Sequence, residues 1–185
     1  MSVRLIPNIL TLSRIVFVPF FITFFYSDLF YYKFLSLIIF FICSLTDFLD
    51  GYLARRYNLV TSIGRFIDPL ADKILVLSAL FVICNIYPHY LPLWMVLVIL
   101  SRDILVTFLR FFLRFKGKTL QTSILAKRKT LFQIFVIHII LLTHVFDFLN
   151  DLFLSESICY GLMFSCVSFT VLSGMHYFYV NLHDE

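Results

Sequence analysis

The sequence predicts an all-α, polytopic integral membrane protein built as a bundle of about six transmembrane helices. Three observations predict this fold: hydrophobic residues make up 61% of the chain, mean hydropathy is +0.96, and the charged residues, 14% of the total, are clustered. Such a composition leaves too little polar surface for a water-soluble domain. The length of 185 residues suits one domain, so we expect a single membrane domain over residues 1–185.

Six apolar segments are long enough to cross a bilayer core of about 30 Å, which takes about 20 helical residues. They lie at residues 8–27, 34–55, 66–87, 91–112, 129–149 and 157–180. We do not expect the first segment to be a cleavable signal peptide, because it lacks a small-residue cleavage site and has Arg14 within its apolar stretch.

Lysine and arginine are concentrated in two of the connections between these segments. The basic residues are Arg55, Arg56 and Arg65 in one connection, and Arg110, Arg114, Lys116, Lys118, Lys127, Arg128 and Lys129 in the other. Because cytoplasmic connections are enriched in these residues, we expect both connections and both termini in the cytoplasm. The expected location is the bacterial inner membrane, with the polar site facing the cytoplasm.

Four carboxylates lie within the 26 residues from Asp47 to Asp72, DFLDGYLARRYNLVTSIGRFIDPLAD, in a chain that is otherwise apolar. The positions that share one helical face are Asp47, Asp50, Gly51, Ala54 and Arg55 in the first half, and Asp68 and Asp72 in the second. A turn is expected between them, from Tyr57 to Gly64. The pattern predicts a helical hairpin with four acids converging in its cleft.

Four neighbouring carboxylates need cations among them, because like charges disfavour one another's ionisation. Mg²⁺ and Mn²⁺ prefer oxygen ligands and complete their shells with substrate phosphates. Two such ions about 3.5–4 Å apart form the clamp used in phosphate transfer. We therefore expect two divalent ions, Mg²⁺ or Mn²⁺, at this motif. The alternative is that the acids lie at solvated helix ends and pair with Arg55, Arg56 and Arg65.

Arg14 shares one helical side with Asn8 and Thr11 in the first apolar segment. A charged residue inside a span is costly and therefore a functional candidate. One interpretation is a polar strip that faces the acidic cleft or a ligand. The other is that Arg14 snorkels to the membrane interface while Asn8 caps the helix.

The fourth segment contains Arg102 and Asp103 deep in its apolar sequence. Because adjacent residues point in different directions, we do not expect these two to neutralise each other. Arg102 and Arg110 lie close to one helical face and suit the phosphate of a second substrate; the alternative is an intramembrane ion pair, for instance between Arg102 and a site acid. For Lys127, Arg128 and Lys129 the spacing alone favours contact with anionic lipid headgroups. The five histidines show no ligand spacing and receive no role.

The spacing from Asp47 to Asp72 resembles the signature of the CDP-alcohol phosphatidyltransferase family at every fixed position. The resemblance extends over most of the chain through IPNILTLSRI, DPLADK, SRD with the later Arg110, and KRKTLFQ. These segments resemble the branch of the family that uses glycerol 3-phosphate, although Ala126 stands where that branch usually has glycine. The last apolar segment is similar only as apolar sequence.

The resemblance implies transfer of a phosphatidyl group from CDP-diacylglycerol to glycerol 3-phosphate, with release of CMP. It implies metal binding by Asp47, Asp50, Asp68 and Asp72, a general base at Asp72, a nucleotide site at Asn8, Gly51, Ala54, Arg55 and Gly64, and acceptor phosphate binding by Arg102, Arg110, Lys127 and Lys129. It also implies a homodimer among membrane lipids. We expect no nucleic-acid partner.

Three alternatives remain. Within the family, the cardiolipin synthase branch takes phosphatidylglycerol as its acceptor. A divalent-cation transporter would place its acids near the bilayer midplane within repeated, broken helices, whereas here they lie beside a basic connection and no repeat is visible. An inactive scaffold is disfavoured because every motif acid is present.

Overall fold

The computed structural model describes most of the chain. The backbone ranges are 6–57, 64–115, 124–147 and 154–183, and the side-chain ranges are 13–47, 73–109, 112–113, 128–146 and 154–180. The helices are α1 (Ile6–Phe25), α2 (Phe30–Tyr57), α3 (Gly64–Ile86), α4 (Leu93–Phe115), α5 (Ile124–Asp147) and α6 (Glu156–His183). The described backbone contains no strand, so the prediction of an all-α fold is confirmed.

Each helix coincides with one predicted apolar segment, with bounds that differ by a few residues. The largest difference at a helix start is in α5, which begins at Ile124 rather than residue 129, so Lys127 and Arg128 lie inside the helix. α4 begins directly after Pro92, whose missing N–H is no loss at a helix start. α6 begins with Glu156, where a negative charge is favoured by the helix dipole.

The apolar character of the helices supports a membrane protein. Among the described residues, three helical stretches are long and apolar enough to span a bilayer: Phe30–Asp47, Arg128–Phe146 and Glu156–Val180. Two further apolar stretches, Ser13–Phe25 and Lys73–Ile86, are shorter. Large apolar side chains such as Phe108 and Leu172 are more than 60% exposed. An extended apolar surface of this kind is suited to lipid rather than water.

The first compact unit comprises Met1–Val82 and His138–Phe153. In it α1 packs against α2, with the ring centroids of Phe21 and Phe40 5.7 Å apart. His144 of α5 stacks on Phe25 of α1 at 4.1 Å. The Phe21–Phe40 contact packs α1, which carries Arg14, against the helix that carries Asp47, and the His144–Phe25 contact packs α1 against α5.

The second compact unit comprises Ile83–Ile137 and Leu154–Glu185, and in it α4 packs against α6. Its core includes Met95 and Ile99 from α4 and Met163 from α6, all fully buried. The single domain over residues 1–185 stays a prediction.

Candidate active site

Arg14 of α1 and Asp47 of α2 form an ion pair in the first unit. Nη1 of Arg14 donates to Oδ1 of Asp47 across 2.6 Å, a length typical of a charge-assisted hydrogen bond. The Arg14 side chain is only 2% exposed and that of Asp47 is 32% exposed. A cation buried this deeply needs a partner, because its removal from water is costly. For Arg14 itself, the interpretation in which it faces the acidic motif is therefore confirmed and snorkelling is wrong. The expected parts of Asn8 and Thr11 lie outside the described side chains.

The helix bounds agree with the predicted hairpin motif. α2 continues to Tyr57 and α3 begins at Gly64, the two ends of the predicted turn. All positions of the motif lie within helices, at the predicted helical spacing. They are Asp47, Asp50, Gly51, Ala54 and Arg55 in α2 and Gly64, Asp68 and Asp72 in α3. Of these, only the side chain of Asp47 is among those described, and Asn8 of α1 is also outside them. Convergence of the four acids stays a prediction.

Asp47 is compatible with a metal ligand. Its Oδ1 receives the Arg14 hydrogen bond, and a carboxylate that binds a metal through one oxygen still has Oδ2 for this purpose. Among the described side chains, no three or more His, Cys, Asp or Glu residues are grouped closely enough to hold a metal ion. A metal centre at the motif therefore requires Asp50, Asp68 and Asp72, whose side chains lie outside the described ranges.

A second polar cluster lies between α4 and α5 in the second unit, where Asp103 contacts two cations. Nζ of Lys129 lies 3.1 Å from Oδ1 and 3.3 Å from Oδ2 of Asp103. Nη1 of Arg102 donates to the same Oδ1 across 3.1 Å. Lys129 is 2% exposed and Arg102 is 13% exposed. Two of the four predicted acceptor residues are thus brought together by Asp103.

The expectation that Arg102 and Asp103 do not neutralise each other is wrong. Their Cβ atoms do diverge on the helix, but the long arginine stem brings its guanidinium back to the neighbouring carboxylate. Helical spacing gives only the direction in which each side chain leaves the helix, and not where a long side chain ends. Arg102 is therefore in an ion pair, as the alternative expected, but its partner is Asp103 and not an acid of the Asp47–Asp72 motif. The acceptor phosphate role of Arg102 stays a prediction.

α6 supplies the other contacts of Arg102. Nη2 of Arg102 donates to Oγ of Ser173 across 2.9 Å, and the Arg102 side chain lies directly against the backbone of Gly174. Sequence reasoning gave these residues no role because α6 is similar to the family only as apolar sequence. The available signal was a polar residue followed by glycine within an apolar helix, since small residues allow helices in membranes to approach closely.

Three further polar residues lie on α4 and α5: Arg110, Lys127 and Gln133. Arg110 and Lys127 lie within α4 and α5, but their side chains are outside the described ranges, so their roles stay predictions. Gln133 lies one helical turn after Lys129 and is 2% exposed. Its Nε2 has no hydrogen-bond partner within the described part of the chain, and neither has Nε of Arg102. These donors are suited to an anionic ligand.

Two histidines that received no role have structural contacts in the first unit. His144 is buried, and its Nε2 lies 3.2 Å from the carbonyl oxygen of Phe25. His138 lies beside the rings of Phe40 and Phe41. Neither contact involves the acidic motif, so both histidines are assigned to packing.

Comparison with known proteins places these features in a family. The model described as CDP-alcohol phosphatidyltransferase matches residues 4–172. A relative from Bacillus subtilis (strain 168) is 36% identical over 189 residues, covering 95% of this chain and 94% of its own length. One from Wigglesworthia glossinidia brevipalpis is 36% identical over 183 residues, covering 97% and 96%. One from Rickettsia bellii (strain RML369-C) is 41% identical over 138 residues, covering 74% and 75%.

All three relatives carry the name CDP-diacylglycerol–glycerol-3-phosphate 3-phosphatidyltransferase. The family match covers both the helices of the acidic motif and the helices that carry Arg102 and Lys129. The chain is a membrane enzyme of the phosphatidyltransferase class. This protein therefore belongs to the CDP-alcohol phosphatidyltransferase family, whose members generally depend on a divalent metal ion.

Proposed function

We propose that this protein transfers the phosphatidyl group of CDP-diacylglycerol to glycerol 3-phosphate, giving phosphatidylglycerophosphate and CMP in anionic phospholipid synthesis. The observation that carries the acceptor assignment is the cluster of Arg102, Asp103 and Lys129. Two cations share one carboxylate in a largely buried position, so the three side chains carry a net positive charge. A phosphate on the acceptor would compensate that charge. The names of the relatives support the same acceptor.

Binding of the donor, CDP-diacylglycerol, is assigned to the acidic motif of α2 and α3. Asp47, Asp50, Asp68 and Asp72 would hold two ions of Mg²⁺ or Mn²⁺, since carboxylate oxygens suit these cations. When bound, the ions supply positive charge that neutralises the pyrophosphate oxygens and favours departure of CMP. Arg14 holds Asp47 through its 2.6 Å contact and offsets part of the negative charge of the motif.

Binding of the nucleotide part of the donor is assigned mainly to residues that lie between these acids in the sequence. Gly51 and Ala54 are small, so the ligand can approach the backbone of α2 closely. Arg55 follows them with a cation suited to phosphate oxygens, and Gly64 begins α3 at the end of the turn. Asn8 of α1 completes the proposed nucleotide site.

Asp72 is assigned as the general base. Its carboxylate takes the proton from the acceptor hydroxyl while the hydroxyl oxygen forms a bond to the phosphorus that carries the diacylglycerol. The bond from that phosphorus to the CMP oxygen breaks, and CMP leaves with the electron pair. The proton therefore leaves the acceptor, and CMP leaves the donor.

The acceptor phosphate is assigned to Arg102, Arg110, Lys127 and Lys129. Guanidinium groups offer paired donors that match phosphate oxygens, and lysine adds a compact charge. The buried donors Nε of Arg102 and Nε2 of Gln133, which have no partner within the described residues, support an additional polar ligand here.

We further propose that the protein lies in the bacterial inner membrane with the site open to the cytoplasm. The basic residues near the ends of α2 and α4 support this orientation. It also suits the chemistry, because glycerol 3-phosphate and CMP are water-soluble. The exposed apolar side chains support contacts with membrane lipids, and a homodimer is proposed on the family resemblance.

The test is a product assay on the purified protein in detergent. CDP-diacylglycerol and Mg²⁺ or Mn²⁺ are supplied with glycerol 3-phosphate or phosphatidylglycerol in parallel, and CMP release is followed. We expect release with glycerol 3-phosphate and none after chelation of the metal. Release with phosphatidylglycerol alone refutes the acceptor and supports the cardiolipin synthase branch. Release with neither acceptor contradicts the proposed activity.

A further inference from the structure

Arg102 lies across the backbone of α6 at Gly174. A Cβ atom added to Gly174 would lie 3.1 Å from Cγ and 3.3 Å from Nε of Arg102. Carbon atoms in favourable contact are about 3.5–4.0 Å apart, so an alanine methyl group at residue 174 would require the Arg102 side chain to shift by a few tenths of an ångström. Arg102 can occupy this position because residue 174 has no side chain.

Ser173 fixes the end of the same side chain. Its hydroxyl donates to the carbonyl oxygen of Thr170 across 2.9 Å, which leaves its oxygen to accept the 2.9 Å hydrogen bond from Nη2 of Arg102. Ser173 is buried. On the other edge of the guanidinium, Nη1 donates to Asp103. The group is thus held at both terminal nitrogens.

We infer that Ser173 and Gly174 form a seat on α6 that positions the guanidinium of Arg102 for the phosphate of the acceptor. This inference rests on the proposed function, because Arg102 is assigned there to the acceptor phosphate. The family model ends at residue 172, so its match assigns nothing to either residue of the seat. The specificity of the acceptor site then depends on the last helix as well as on α4 and α5.

The seat acts by geometry rather than by contact with substrate. A planar guanidinium binds a phosphate well only when its donors face the oxygens, and small misplacements of a positioning group weaken binding strongly. A residue that only stabilises the fold would affect both substrates alike. A seat for Arg102 predicts a selective effect on the acceptor.

The chain provides matched controls on the same helix. A Cβ atom on Gly161 would meet nothing within 4 Å, so Gly161→Ala makes the same substitution in open space. Ser165 donates to the carbonyl oxygen of Leu162, as Ser173 does to Thr170, but Ser165 is exposed. Gly174→Ala is therefore compared with Gly161→Ala, and Ser173→Ala with Ser165→Ala, in full-length protein in detergent.

We expect Gly174→Ala and Ser173→Ala each to raise KM for glycerol 3-phosphate by about tenfold, the scale of one hydrogen bond to a charged group. KM for CDP-diacylglycerol should stay unchanged, and both controls should match the unmodified protein. In an Arg102→Ala background, Gly174→Ala should cause no further rise in KM, because the side chain it displaces is absent.

Three outcomes overturn the seat while the proposed function stands: active protein whose seat variants match their controls, variants that raise both KM values equally, or a full effect of Gly174→Ala in the Arg102→Ala background. If Gly174→Ala does not fold, Ser173→Ala decides in the same way. Absence of CMP release from the unmodified protein with glycerol 3-phosphate overturns the proposed function, and the seat with it.

Discussion

Nη1 of Arg14 lies 2.6 Å from Oδ1 of Asp47, so the first acid of the motif on α2 is held by a cation from α1. Because Arg14 is almost fully buried, its guanidinium cannot relax into water when the carboxylate moves. The orientation of Asp47 is therefore set by the packing of α1 on α2. The first helix therefore contributes Arg14 to the proposed donor site.

Replacing Arg14 should weaken metal binding. Loss of a group that orients a metal ligand typically lowers metal affinity about 10- to 100-fold, so Arg14→Met should raise the Mg²⁺ concentration for half-maximal CMP release by at least about tenfold. Metal titration of purified protein measures this. The control is Val16→Ala on the same helix, at a residue 54% exposed. An unchanged metal titration in Arg14→Met would show that Arg14 does not support the metal site.

Asp72→Asn should abolish turnover while largely sparing donor binding, because three of the four proposed metal ligands remain. The amide keeps the size of the side chain but cannot accept the proton of the acceptor hydroxyl. CMP release and binding of CDP-diacylglycerol are measured on the same preparation. Asp28→Asn, at an exposed acid between α1 and α2, is the control and should keep full activity. Full activity of Asp72→Asn would exclude Asp72 as the base.

The helices could be predicted from sequence because each coincides with a predominantly apolar segment of about 20 residues. The ends of α2 and α3 at this motif could also be predicted, since α2 ends at Tyr57 and α3 begins at Gly64, where polar residues and glycine interrupt the apolar pattern of the sequence. Residues 58–63 lie outside the described ranges, so the turn itself stays a prediction. The position of Asp47 on α2 followed from helical spacing. These features depend on local sequence.

The partners of Arg102 could not be predicted because they depend on side-chain length and on packing between helices. Helical spacing gives the direction in which Arg102 and Asp103 leave α4, but not the return of the guanidinium to within 3.1 Å of the carboxylate. At Gly174, α6 contacts the Arg102 side chain of α4. The sequence of α6 is apolar and has no periodic pattern of polar residues that would predict this contact. For Arg14, the sequence was compatible with an orientation toward the acidic motif and with one toward the membrane interface. The contact between α1 and α2 places it against Asp47.

Asp103→Asn should destabilise the protein more than removal of one of its two cations. Without the carboxylate, Arg102 and Lys129 face each other with no shared counterion, and an uncompensated buried charge costs about 3–5 kcal/mol. Lys129→Met leaves Arg102 and Asp103 as a balanced pair. Thermal unfolding in detergent compares the two variants. A larger loss of stability in Lys129→Met would contradict the shared-carboxylate arrangement.

Arg110→Ala should raise KM for glycerol 3-phosphate more than KM for CDP-diacylglycerol. Arg110 is assigned to the acceptor phosphate, and its loss removes a charged donor from that ligand alone. Steady-state CMP release with each substrate varied in turn measures the difference. Lys33→Ala removes a cation from α2 and should alter neither KM. Equal increases for both substrates in Arg110→Ala would count against the acceptor assignment.

His144→Ala should lower stability without lowering the turnover of the folded protein. The imidazole stacks on Phe25 at 4.1 Å and contacts its carbonyl oxygen, so the substitution leaves a cavity between α1 and α5 and costs about 2–3 kcal/mol. His144→Phe keeps the stacking and should lose less. Thermal unfolding and CMP release are measured together, with Phe146→Ala as an exposed control. Loss of turnover in folded His144→Ala would place this histidine in the chemistry rather than in the packing of α1.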